Sequence, residues 1–223
     1  MHIKMERKVL EKLSHPFLIK FYYAFQTKRR LNLILEYVQG GDLYSHLNKK
    51  GTIPEDDCKF YAAEILWALE YLHKNDLIFR GLKPEDVLIG ADGHIKVTDF
   101  GLAKSKDSLT STFWGSPLYL APEIIKGERQ STSVDWWSFG VLMYEMMIGC
   151  PPFWSEDNEL LLMQILENKF TLTDNISDHA KDLITALLKL DPEKRLGSGP
   201  EGVNEIKNHK FFEGIDWEKI QNK

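Results

Sequence analysis

The chain has 223 residues, 43% of them hydrophobic and 27% charged, with a formal net charge of −5. That length suits one large domain, or one lobe plus part of another, and the acidic balance speaks against general nucleic-acid binding, which needs a basic face. The charged N-terminus has no apolar signal core, and the longest apolar stretch, 134–153, is broken by Asp135, Ser138, Glu145 and Pro151-Pro152, so neither secretion nor membrane insertion is implied.

Residues 1–14 carry Met5, Val9, Leu10 and Leu13 at helical spacing among charges, and Pro16 ends that helix. Residues 17–26 and 31–37 read as two strands joined by the polar turn Thr27-Lys28-Arg29-Arg30, and Gly40-Gly41 hands over to a helical remainder. Ile53-Pro54 opens a helix to about Asn75. Residues 87–89 and 95–97 look like short strands around Ala91-Asp92-Gly93, and 99–123 form a long connector. Residues 135–148 are apolar on most sides and predict a central buried helix. Ser155 is the expected N-cap of a helix to Glu167, and Ser177 that of a helix over 178–190. Cys58 and Cys150 lie too far apart in sequence for a metal-ligand pair and are too few for a disulfide framework. Both are expected as buried, reduced thiols, which suits the cytoplasm or nucleus.

Three short stretches carry the chemistry: Phe79-Arg80-Gly81-Leu82-Lys83-Pro84-Glu85-Asp86, then Asp99-Phe100-Gly101, then Ala121-Pro122-Glu123. Each alone is common, but Lys83 and Asp99 stand 16 positions apart around an expected hairpin. Glu123 follows Asp99 by 24, leaving room for a Ser/Thr-rich segment. The order and spacing resemble the catalytic loop, metal-binding motif and activation-loop end of the protein kinases. Thr112-Phe113-Trp114-Gly115-Ser116-Pro117 and Ser133-Val134-Asp135-Trp136-Trp137-Ser138 resemble the AGC group of serine/threonine kinases. Residues 195–200 and 211–217 look like its ribosomal-protein-S-six kinase branch.

The resemblance implies an α+β fold: a partial small lobe of one helix and about two strands over residues 1–38, and a mainly helical lobe over 39–223. It implies ATP and Mg²⁺ as cofactors, and protein substrates or kinase-regulating proteins as partners of a monomer. Asp99 and Asp86 would hold Mg²⁺, with Asp86 standing where the family has Asn. Lys83 would neutralise the transferring phosphoryl group. Leu35 would be the gatekeeper, the backbone of Glu36 and Val38 would meet adenine, and Asp42 would reach the ribose or a substrate arginine. Glu6 matches the acidic residue of the regulatory helix, Thr112 the activating phosphosite, and Arg80 its cationic partner. Glu123 and Arg195 match a buried structural ion pair, and Asp135 would brace the catalytic loop.

Several positions depart from the pattern. Gly81 stands where the family has the Asp that accepts or orients the substrate hydroxyl proton, and losing a general base costs about 10²–10⁴ in rate. No Gly-rich loop and no ATP-pairing lysine precede residue 40, so the first half of the small lobe is expected outside this sequence, and residues 1–38 are expected to be less stable than the rest. Phe79 stands for His or Tyr, Ser116 for Thr, and Leu118 for a Glu beside the peptide groove. Three readings remain: a catalytically impaired homologue that binds kinase partners, an active ATP-dependent kinase, and a partial gene copy without a function of its own.

Overall fold

The computed structural model describes residues 6, 7, 9–105 and 116–222. Glu6, Arg7, Val9 and Leu10 are helical, and the helix stops ahead of Pro16. Strands β1 (Phe21–Gln26) and β2 (Leu31–Leu35) pair antiparallel, with Phe21 opposite Leu35 and Gln26 opposite Leu31. Thr27 closes their turn by accepting the Arg30 N–H on its hydroxyl at 3.0 Å.

The first strand begins four residues later than its sequence predicts. Residues 17–19 run parallel to a later strand instead: Ile19 N–H donates to the Val97 carbonyl (2.9 Å), and Val97 N–H to the Phe17 carbonyl (2.8 Å). Phe17, Leu18 and Ile19 are buried in the same hydrophobic core as the helices, as are Val9 and Leu10. Burying three consecutive apolar side chains outweighs extending the β1–β2 ladder by three residues.

Helix α1 (Leu43–Lys50) opens on Asp42, whose carboxylate accepts the Ser45 N–H (2.7 Å), and closes on Gly51 at φ 84°. From sequence, this stretch reads only as part of the helical remainder after Gly40-Gly41, with no helix bounded there. Helix α2 (Glu55–Lys74) starts after Pro54, with Glu55, Asp56 and Asp57 in its first turn and His73 and Lys74 in its last, which suits the helix dipole. Its buried Glu64 holds His94 Nδ1 at 2.5 Å and the Ile95 N–H at 2.8 Å, tying α2 to a hairpin. That hairpin is β4 (Val87–Ile89) with β5 (Ile95–Val97), as expected. A pair absent from the sequence reading flanks the catalytic-loop region: β3 (Leu77–Ile78) with β6 (Lys104–Ser105).

Helix α3 (Pro122–Ile125) precedes α4 (Ser133–Ile148), of which nearly every residue is buried. Gly140 lets α4 approach its neighbour: a Cβ there would lie 2.8 Å from Leu187 Cβ. Helix α5 (Asn158–Glu167) is capped by Asp157, not by Ser155 as expected, because the Asp157 carboxylate accepts the Glu159 and Leu160 N–H groups. Helix α6 (Asp178–Leu187) is capped by Ser177 as expected but ends at Leu187, three residues short of Leu190. Helices α7 (Val203–Lys207) and α8 (Trp217–Asn222) follow, and Lys207 ties them to α2 by bonding Glu70 at 2.5 Å over the Trp67 ring. Cys58 is buried, but Cys150 is exposed, since Gly149 at φ 89° turns the chain outward at the end of α4. Among the described residues no helix is long and apolar enough to cross a membrane.

Candidate active site

The centre of the site is a strained loop held from below. Phe79 and Arg80 follow β3, and Arg80 adopts φ 71°, a region that L side chains rarely enter. Fully buried Asp135, at the start of α4, supplies the restraint. Its two oxygens accept the Phe79 N–H (2.9 Å), the Arg80 N–H (2.7 Å) and His73 Nε2 (2.7 Å). A buried carboxylate needs this many donors to offset its lost hydration. The Phe79 ring meets Phe100 edge to face at 5.6 Å, so the loop and the Asp99 segment share one core contact.

Gly81 follows Arg80, half-buried and outside the left-handed region. Among the described residues a Cβ added there would meet Leu102 Cδ1 alone, at 3.5 Å, an ordinary contact. The position has room for a side chain and supplies no titratable atom. Lys83 leads into the short turn Pro84–Asp86, and its Nζ lies 3.9 Å from Asp86 Oδ1. Asp86 is buried, and burial pushes its carboxyl up to about 8. Lys83 pulls against this, while the charges of Asp99 and Glu85 add to it. Asp99 is exposed, left-handed at φ 60°, and accepts the Gly101 N–H at 3.2 Å.

A buried carboxylate whose proton affinity is raised by burial and by nearby acids is a group that a divalent cation would relieve. No group of three or more metal-ligating side chains occurs among the described residues. One or two carboxylates, completed by phosphate oxygens and water, are a donor set of the kind that Mg²⁺ takes. Glu6 belongs to the same acidic neighbourhood: burial, then the charge on Asp99, raises its carboxyl.

The hinge side is built by close backbone approach. Gly40 N–H donates to the Ile89 carbonyl (2.9 Å) and Ile89 N–H to the Gly41 carbonyl (2.8 Å). A Cβ on Gly40 would lie 2.3 Å from that Ile89 oxygen. Leu35 and Val38 are half-buried against the core, and Tyr37 between them is exposed to solvent. Glu36 donates its N–H to the Lys20 carbonyl and pairs its carboxylate with Lys96 (2.9 Å). Asp42 has one oxygen engaged in capping α1.

Arg80 is itself buried. Its Nε donates to the Leu102 carbonyl (2.7 Å) and its Nη1 to Gln130 Oε1 (3.3 Å). Lys104 on β6 lies near enough that burial, then the charge of Arg80, lowers its pKa. Thr112 lies outside the described residues. Glu123 and Arg195 form a fully buried fork, Nη1 to Oε1 at 2.7 Å and Nη2 to Oε2 at 3.0 Å, with the guanidinium also bonding the Ser133 and Lys189 carbonyls. This pair sits under α3, away from the catalytic loop.

Sequence reasoning missed His73, Lys104, Gln130 and an acidic group beside Asp86. In that group the Tyr119 hydroxyl donates to Glu145 at 2.5 Å, and burial, then the nearby Glu85, raises the Glu145 carboxyl. Glu145 in an otherwise apolar helix was the one visible signal, because a buried acid predicts a specific partner.

The family profile described as "Protein kinase domain" matches residues 1–212. The chain is 45% identical over 224 residues to "Protein kinase 2" of Dictyostelium discoideum, covering 100% of this chain and 46% of that protein. It is 46% identical over 220 residues to "Ribosomal protein S6 kinase alpha-3" of Homo sapiens, covering 97% and 30%. It is 44% identical over 225 residues to "RAC-beta serine/threonine-protein kinase" of Rattus norvegicus, covering 100% and 47%. The chain thus spans less than half the length of these relatives. With that match across residues 1–212 and these relatives, the chain belongs to the protein kinase family, in its AGC group beside the ribosomal protein S6 kinases.

Proposed function

We propose that this chain is a serine/threonine kinase homologue whose phosphoryl transfer is silenced at Gly81, and which acts by binding protein partners of kinase signalling in the cytoplasm or nucleus. One observation carries the reading. The loop is braced by Asp135 and flanked by Lys83, Asp86 and Asp99, yet the position that should handle the substrate proton has no side chain.

The retained residues have separate tasks in this reading. Asp99 and Asp86 hold Mg²⁺, and Lys83 binds the phosphate that would be transferred. Mg²⁺ held there would supply positive charge against the phosphate oxygens. The backbone of Glu36 and Val38 would meet adenine beside the gatekeeper Leu35, and Asp42 would reach the ribose or a substrate arginine. Glu85, exposed beside Asp86, would favour a basic peptide segment. With Gly81 in place, no group of the loop orients or accepts the hydroxyl proton of such a segment.

Calorimetric titration with ATP tests the reading, with and without Mg²⁺, on the natural chain and on Asp99→Asn. Mg²⁺-dependent binding without ADP release, weakened in Asp99→Asn, is the expected result. Steady ADP and phosphopeptide production by the natural chain would favour the second reading, an active kinase. That alternative draws support from the assembled Lys83, Asp86 and Asp99, since positioning and electrostatics supply much of phosphoryl-transfer catalysis.

A further inference from the structure

Between Glu11 and Glu36 the chain has no acidic residue but carries Lys12, Lys20, Lys28, Arg29 and Arg30, although its net charge is −5. Four of these cations belong to the β1–β2 hairpin: Lys20 just ahead of β1, and Lys28, Arg29 and Arg30 in its turn, all exposed. The bonds that close the turn, Thr27 N–H to the Arg30 carbonyl (2.8 Å) and Arg30 N–H to the Thr27 hydroxyl (3.0 Å), use only the backbone of Arg30. The three cationic side chains of the turn are therefore not needed for its shape. The same hairpin exposes three aromatic rings, with Tyr22, Tyr23 and Phe25 at 54%, 57% and 45%. Lys20 Nζ lies 5.3 Å from the centre of the Tyr22 ring, and the Tyr23 and Phe25 rings adjoin at 6.3 Å. Cations interleaved with exposed aromatic rings are the composition of a surface that meets anionic headgroups.

Charge and reach decide the occupant. The hairpin joins the body at its open end, where Glu36 N–H donates to the Lys20 carbonyl and Ile19 N–H to the Val97 carbonyl. From the Phe21–Leu35 pair to the Gln26–Leu31 pair beside the turn the strands run about 17 Å. Charges in water are screened over about 8 Å at physiological ionic strength. A planar anionic surface can thus touch the turn while the strands hold it about two screening lengths from the hairpin's base. A nucleic-acid strand or an acidic polypeptide is not planar, and one long enough to cover the rings would also run onto the acidic remainder of the chain, which repels it. Tyrosine rings, apolar in body and polar at the tip, suit the headgroup level of a bilayer.

We propose that the β1–β2 hairpin, through Lys20, Lys28, Arg29 and Arg30 with the rings of Tyr22, Tyr23 and Phe25, docks the chain on the surface of a bilayer that contains anionic phospholipid. The attachment is peripheral and needs no spanning helix. It does not depend on whether the chain transfers phosphate.

The test is co-sedimentation at physiological salt with phosphatidylcholine vesicles, made with or without phosphatidylserine. It compares the natural chain, Lys28→Gln/Arg29→Gln/Arg30→Gln, and Tyr22→Ser, whose altered side chains are solvent-exposed and whose folding is checked by melting. The natural chain should partition onto the phosphatidylserine vesicles and not onto the neutral ones. The triple substitution should lower that partition by about a hundredfold, since each cation at an anionic surface is worth about a factor of five to ten. Tyr22→Ser leaves the charge unchanged and should still lower it severalfold. Equal partition onto both vesicles, none onto either, or no change in either variant would overturn the proposal. Tighter binding to polyglutamate or to a single-stranded oligonucleotide than to the vesicles, lost in the triple substitution, would overturn it in favour of that partner. A dimer of the natural chain that the triple substitution dissolves would overturn it in favour of a second copy.

Discussion

Asp135 holds Arg80 in a backbone conformation that Arg80 would not keep alone: its Oδ1 accepts the Arg80 N–H at 2.7 Å while φ stands at 71°. A left-handed non-glycine residue costs about 1–3 kcal/mol and persists where the surroundings over-determine it. Asp135 does so with three bonds from one fully buried carboxylate. The loop that carries Gly81 is therefore shaped by its support, and the side chain missing at residue 81 plays no part in that support.

Asp135→Ala should lower the unfolding free energy by about 3 kcal/mol or more, because two buried N–H groups and His73 lose their acceptor together. Asp135→Asn keeps one acceptor oxygen and should cost less. Urea unfolding of both variants with unchanged m-values checks the order.

The two glycines of the site should respond oppositely to alanine. Gly40→Ala drives a methyl to 2.3 Å from the Ile89 oxygen and should destabilise by about 1–3 kcal/mol, while weakening nucleotide binding through the displaced hinge. Gly81→Ala meets Leu102 at 3.5 Å and should change stability by less than about 0.5 kcal/mol. Chemical denaturation of the pair separates a glycine the packing requires from one it does not.

Asp86 should make stability fall as pH rises. Its carboxyl keeps a proton up to about 8 in the fold, against an ordinary value of 3.8 in the unfolded chain. Between these values the folded state binds more protons, so its contribution is complete below about pH 4 and is lost as pH rises through 8. Asp86→Asn removes the titration. Melting in metal-free buffer at pH 6 and pH 9 should show the variant gaining on the natural chain at the higher pH.

Hydrogen exchange should divide the first 38 residues rather than treat them as one weak unit. Residues 17–19 are buried and bonded to β5, whereas β1 exposes Tyr22, Tyr23 and Phe25 and pairs only with β2 among the described residues. Protection should be high at Ile19 and the β4–β5 hairpin and lower across residues 21–35. Uniform protection through residue 35 would refute the division.

These particulars show what the sequence made legible. Helices α2, α4 and α6 announce themselves by period, by Pro54 and by the Ser177 cap, all of which are local signals. The β4–β5 hairpin is equally local. What stayed hidden depends on distant partners: 17–19 turn from β1 to β5 for the sake of burial, β3 finds β6 across 25 intervening positions, and Arg80 finds Gln130. Asp157 displaced Ser155 as a cap because neighbouring polar residues compete, and spacing alone does not choose between them. Motif order points to Lys83, Asp86 and Asp99 together, and gives no sign that burial raises the Asp86 carboxyl or that Glu85 adds to it.

The most direct test of the central claim is phosphate transfer from labelled ATP with Mg²⁺ to a basic serine/threonine peptide, by the natural chain beside Gly81→Asp. The account predicts that the aspartate variant transfers about 10²–10⁴ times faster, since the loop is already shaped and a Cβ at this position meets only an ordinary contact among the described residues. Equal rates in the two chains, whether both high or both at background, would contradict the claim that Gly81 is what silences this kinase fold.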